Sequence, residues 1–80
     1  MQQLISSSTQ AGHLLAARRK ALKLSQQAVA AKLGISQNRY SELEMDPSRL
    51  TLDRFIRLAS LLGLDLVLKK HAGSNPPSDW

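Results

Sequence analysis

The 80-residue sequence predicts an all-α domain, a bundle of four to five helices followed by one short β-strand. Three observations lead there. Apolar residues recur at helical spacing in four separate stretches. Each stretch follows a serine or threonine of the kind that caps a helix start, and two of them finish at a glycine. Only "LDLVLKK", residues 64–70, changes to the two-residue alternation of a strand. A chain this short makes one domain and buries only about 60% of its unfolded surface, so a second subunit or a partner is expected to add stability.

The first helix follows "ISSSTQ". Ser7 and Gln10 have the spacing of a capping box, in which each side chain covers an orphan N–H of the first turn. Ala11, Leu15 and Leu22 fall on one face, and the helix is expected to end near Lys23. The second runs from Gln26 to Leu33, with Ser25 as its cap, Gly34 past its end, and Val29, Ala30 and Leu33 as its inner stripe. The third runs from Gln37 to Glu44 behind Ser36, with Tyr40 and Leu43 turned inward. "MDPSRL" is a loop broken by Pro47.

Thr51 caps a fourth helix from Leu52 to Leu62, closed by Gly63. Leu52, Phe55, Leu58, Ala59 and Leu62 make its apolar face, leaving Asp53, Arg54 and Arg57 outside. In the strand that follows, Leu64, Leu66 and Leu68 share one side. A lone strand has no partner in its own chain, and the simplest one is the same strand of a second subunit. Leu64, Leu66 and Leu68 are therefore expected at a dimer interface; the alternative is a frayed extension of the fourth helix. "HAGSNPPSDW" is a polar tail ending on Trp80. The expected organisation is an arm over 1–8, a folded domain over 9–63, a dimerisation strand over 64–70 and a tail over 71–80.

Charge narrows the function. Residues 1–41 hold Arg18, Arg19, Lys20, Lys23, Lys32 and Arg39 and no acid, whereas residues 42–80 hold five bases and six acids. The +6 of the first half points to a polyanionic partner, nucleic acid before membrane, since a membrane-surface helix needs a broader apolar face. With no cysteine there is no disulfide, thiolate zinc site or cysteine nucleophile. The two histidines, His13 and His71, have no neighbouring acid in an ordered frame, and no residue cluster has metal-ligand spacing or forms a triad. Neither an enzyme nor a cofactor is expected. One tyrosine and one phenylalanine offer little stacking platform for RNA. The opening "MQQLISSSTQAG" does not read as a signal peptide, and no apolar run approaches a membrane span, so a cytoplasmic location is expected.

Two short helices joined by a tight turn at Gly34-Ile35 suggest a helix-turn-helix. Ala30 is small where the helices approach, Gly34 takes the left-handed conformation without a Cβ penalty, and Ile35 plugs the turn. With Tyr40 and Leu43 turned to the core, Ser36, Gln37, Asn38, Ser41 and Glu42 remain outside. That polar set lies where such a motif enters the major groove.

"LSQQAVAAKLGISQNRYSELE" resembles the helix-turn-helix of the Xre, or Cro/cI-like, DNA-binding family. The resemblance covers roughly residues 11–64. It takes in Gly12, Leu15 and Arg19, "SQ" at Ser25-Gln26, Ala30, "LGIS" at 33–36, Glu44, and "LDRFIRLASLLGL" at 52–64. It implies that Gln26 bonds a DNA phosphate and that Gln37, Asn38 and Glu42 sit at base-reading positions, flanked by the less telling Ser36 and Ser41. Gln and Asn can bond adenine bidentately, and Glu can accept from cytosine N4. It further implies a partly buried salt bridge between Arg19 and Glu44. Arg39, to the side, and Lys20, Lys23, Lys32 and Arg49 are candidates for phosphate contact. One such helix reads few base pairs, so a two-fold homodimer on an inverted repeat of double-stranded DNA is implied.

The chain is little more than the DNA-binding domain, with a strand directly after the fourth helix and a tail ending in tryptophan. In this it is similar to the HipB-like antitoxins, which repress their own operon and bind a HipA-type serine/threonine kinase toxin. Trp80 is then the expected toxin contact, a large amphipathic ring suited to a partner's pocket. A free-standing Xre-type repressor is the alternative. The recognition residues are this chain's own, so no operator sequence follows from the resemblance.

Overall fold

Four side-chain caps start four helices in a computed structural model that describes residues 3–70. They are α1 (Ser8–Ala21), α2 (Gln26–Leu33), α3 (Gln37–Met45) and α4 (Leu52–Leu61), with one 3-10 turn (Pro47–Arg49) between α3 and α4. The hydroxyls of Ser7, Ser25, Ser36 and Thr51 each accept a hydrogen bond from the backbone N–H three residues on, at 3.0–3.2 Å. Each satisfies one of the orphan donors of a first turn. The capping box of α1 is displaced by one residue from the expected pairing. Gln10 donates its N–H to Ser7, but its side-chain oxygen accepts from the backbone N–H of Ser6 at 2.7 Å and from the Ser6 hydroxyl.

Helix ends are closed just as locally. At the end of α2, Ile35 N–H donates to Ala30 O and Gly34 N–H to Ala31 O, the paired bonds of a Schellman motif. Gly34 sits at φ +74°. The end of α4 repeats this with Leu64 to Ala59 O and Gly63 to Ser60 O, Gly63 at φ +73°. α1 ends the same way, but with a lysine in the glycine place. Leu24 donates to Arg19 O and Lys23 to Lys20 O, and Lys23 is held at φ +59°. The helix therefore stops at Ala21, short of the expected end near Lys23.

The core is one cluster of Leu15, Val29, Ala30, Leu33, Tyr40, Leu58 and Leu62. Leu24, Ile35, Leu50, Phe55, Leu61 and Leu64 pack around its edge. Two residues expected inside lie at the surface: Leu22, 40% exposed, and Leu52, 67% exposed. Both stand at a helix terminus, Leu22 as the C-cap of α1 and Leu52 as the first residue of α4, beyond the turns that meet the core. Gly12 lies where α1 runs close against the end of α3. A Cβ there would lie 2.5 Å from the Glu44 carbonyl oxygen and 3.1 Å from Pro47 Cγ.

Residues 64–70 form no strand. A strand is defined by its ladder, and among the described residues no second strand pairs with them. Leu64 turns back onto the core, while Leu66 and Leu68 are exposed. The tail over 71–80, with His71 and Trp80, lies outside the described residues. Among the described residues no helix is long and apolar enough to cross a membrane.

Candidate nucleic-acid interface

α3 divides cleanly between the residues that anchor it and those that face away. Tyr40 and Leu43 are buried in the core and Glu44 nearly so. Ser36, Gln37, Asn38 and Glu42 are exposed, and Arg39 and Ser41 are half-buried at the edges. Ala30, 1% exposed, leaves the room that lets α2 and α3 approach. The outward set is thus a continuous polar surface over the N-terminal part of α3, carried on a helix whose other face is fixed.

What fixes it is a buried polar network centred on Glu44. Arg19 of α1 grips the carboxylate bidentately, Nε to Oε2 at 2.9 Å and Nη2 to Oε1 at 3.0 Å. The Tyr40 hydroxyl, one turn back on α3, donates to Oε2 at 2.7 Å. The Gln26 amide, at the start of α2, donates to Oε1 at 3.1 Å. Arg19 also donates to the Leu24 carbonyl at 2.9 Å, which ties the α1–α2 turn to the same network. No buried side-chain polar atom among the described residues lacks a partner.

Burial opposes ionisation of Glu44, but hydrogen bonds from Arg19, Tyr40 and Gln26, with the charge of Arg19, outweigh it and hold the carboxyl below its ordinary range. The hydrogen bond to Glu44 raises Arg19 against its own burial. Burial and the Glu44 bond raise the Tyr40 phenol above its ordinary value. The network is charged and ties α1, α2 and α3 together through one carboxylate.

The cations are distributed around this frame. Lys20, Lys23 and Lys32 are exposed. Lys32 also lends its carbonyl to Arg57 Nη2 of α4 at 3.2 Å, so the end of α2 is tied to α4. Arg39 and Arg49 converge on Glu42, with N–O distances of 3.6 and 3.5 Å. Among the described residues no group of His, Asp and Glu is arranged to hold a metal.

Three features escaped sequence reasoning. Gln26, expected to face phosphate, directs its amide inward to Glu44. Tyr40 reads as an apolar anchor, yet its hydroxyl also donates to Glu44; the four-residue spacing to Glu44 was the available signal. Arg18 donates to the Leu62 carbonyl at 2.8 Å and closes the end of α4, a contact spanning 44 residues that no local pattern announces.

With this geometry, the comparisons with known proteins agree. A helix-turn-helix family model matches residues 15–69, and the chain belongs to that family of Xre-type helix-turn-helix domains. A solved structure described as a HipB-O1-O2 complex superposes with a TM-score of 0.76 at 30% sequence identity, covering 86% of this chain and 100% of that chain. No curated protein matches the sequence.

Proposed function

We propose that this chain is a sequence-specific DNA-binding antitoxin that represses its own operon as a dimer and neutralises a HipA-type kinase toxin. The observation that carries the DNA-binding part is the outward polar edge of α3, with Gln37, Asn38 and Glu42 exposed on a helix whose inner face is locked by Glu44. Rigid presentation matters because base readout works through hydrogen bonds of fixed direction. The acid-free first turns of α2 and α3 leave the positive helix ends uncompensated beside that edge, which favours phosphate.

On this reading Gln37, Asn38 and Glu42 read bases, with Ser36 and Ser41 beside them, and Lys32, Arg39 and Arg49 meet the DNA backbone. Gln26 keeps a phosphate role through its second amide hydrogen and its backbone N–H, since only one of its donors is taken by Glu44. Leu66 and Leu68 pair across the dimer, with Leu64 supporting the segment from the core side. The likeness to HipB along that protein's whole chain supports the antitoxin reading, in which Trp80 engages the toxin.

Two experiments test the two halves. Selection of duplexes from a random pool should return an inverted repeat; recovery of no preferred sequence would overturn the DNA reading. Affinity capture from the native cell, with the tag at the N-terminus, should bring down a stoichiometric kinase-sized partner identified by intact mass. Capture of DNA alone would leave a free-standing repressor.

A further inference from the structure

We propose that Glu42 competes with DNA phosphate for Arg39 and Arg49, holding both cations off the backbone until a matched base takes its carboxylate. This rests on the DNA-binding reading above. One carboxylate oxygen, Glu42 Oε2, lies 3.6 Å from Arg39 Nη1 and 3.5 Å from Arg49 Nη1. The two guanidiniums come from different elements, Arg39 from the first turns of α3 and Arg49 from the 3-10 turn beyond it. Glu42 is also the first acid in the chain, after 41 residues with none, and it stands on the outward side of α3.

A carboxylate facing a polyanion is repelled unless a donor meets it. On a random duplex no donor is placed for it, so Glu42 keeps its arginines and fewer counterions are released. At a matched site an amino group, cytosine N4 or adenine N6, donates to the carboxylate and frees the arginines for phosphate. The acid thus widens the gap between matched and random DNA by weakening the random complex. Each pair is about half exposed, so the restraint shifts occupancy several-fold and does not lock the side chains.

The test uses the full chain and a mixed-sequence duplex of about 30 base pairs, titrated by fluorescence anisotropy between about 50 and about 200 mM salt. Glu42→Gln should bind this duplex roughly 3- to 10-fold tighter, with a salt dependence steeper by about 1–2, one added phosphate contact per released arginine. In an Arg39→Ala, Arg49→Ala background the same substitution should change affinity less than about twofold and leave the salt dependence unaltered. Tightening that persists undiminished without the arginines would be plain relief of repulsion, and would overturn the proposal. So would equal salt dependences for the wild type and Glu42→Gln. If the wild type binds no duplex at all, the DNA reading itself fails, an outcome distinct from both. All three side chains are substantially exposed, and a thermal melt of each variant verifies folding.

Discussion

At Glu44 one carboxylate accepts four hydrogen bonds from three side chains. Its removal leaves the Arg19 charge buried without its partner, so Glu44→Ala should cost about 3–5 kcal/mol in chemical denaturation. The sign of the pH effect follows from its lowered pKa. The stabilisation is complete above the unfolded-state value of about 4.3 and is lost as pH falls through the lower folded-state value. Melting temperature should therefore drop in acid below about pH 4, and Glu44→Gln should remove much of that slope while melting lower at neutral pH. At the outward positions the expectation concerns binding. Gln37→Ala should relax preference at one base position, whereas Lys32→Ala should weaken all duplexes alike and flatten the salt dependence by about 1. Equal weakening of every sequence by both would remove Gln37 from the reading set.

At the scale of elements, helix starts and two of the helix ends were legible because their causes are local. A hydroxyl three residues before an N–H, or a glycine past the last apolar residue, carries its own instruction. The end of α1 was not legible, since a lysine gives no sign of a left-handed conformation that only the surrounding bonds impose. Lys23→Gly should relieve that conformation and stabilise the protein by about 1 kcal/mol, a rise of several degrees in melting temperature. Gly12 is the opposite case. Gly12→Ala drives a methyl to within 2.5 Å of backbone oxygen, which cannot swing aside, and should destabilise by about 1–3 kcal/mol. Leu22 and Leu52 were misread because periodicity assigns a face but not the point at which a helix leaves the core.

At the scale of the molecule, the outward set on α3 was readable by subtraction, since the residues that anchor the helix are apolar and identifiable. The inward turn of Gln26 and the long reach of Arg18 were not, because both depend on how separate helices meet. Residues 64–70 read as a strand from their alternation, yet a ladder needs a second backbone, and the described residues of one chain supply none. The proposed dimer makes this testable. Sedimentation at micromolar concentration should give a dimer, and Leu66→Lys should shift it to monomer while leaving the helical circular dichroism unchanged. A wild-type monomer would remove the pairing from the proposal.

The separation of anchoring and outward residues on α3 also bears on how such a protein diverges. Tyr40, Leu43 and Glu44 hold the helix, while Gln37 and Asn38 make no hydrogen bond through their side chains within the described residues. If Gln37 and Asn38 read bases as proposed, a duplicated gene can exchange them and acquire a new target without passing through an unfolded intermediate. On that reading, paralogues sharing one cell would be insulated from each other by exchanges at these surface positions alone. Glu42 is the exception, because it is paired with both Arg39 and Arg49, and on the proposed restraint its exchange would make the copy less discriminating before it becomes differently discriminating.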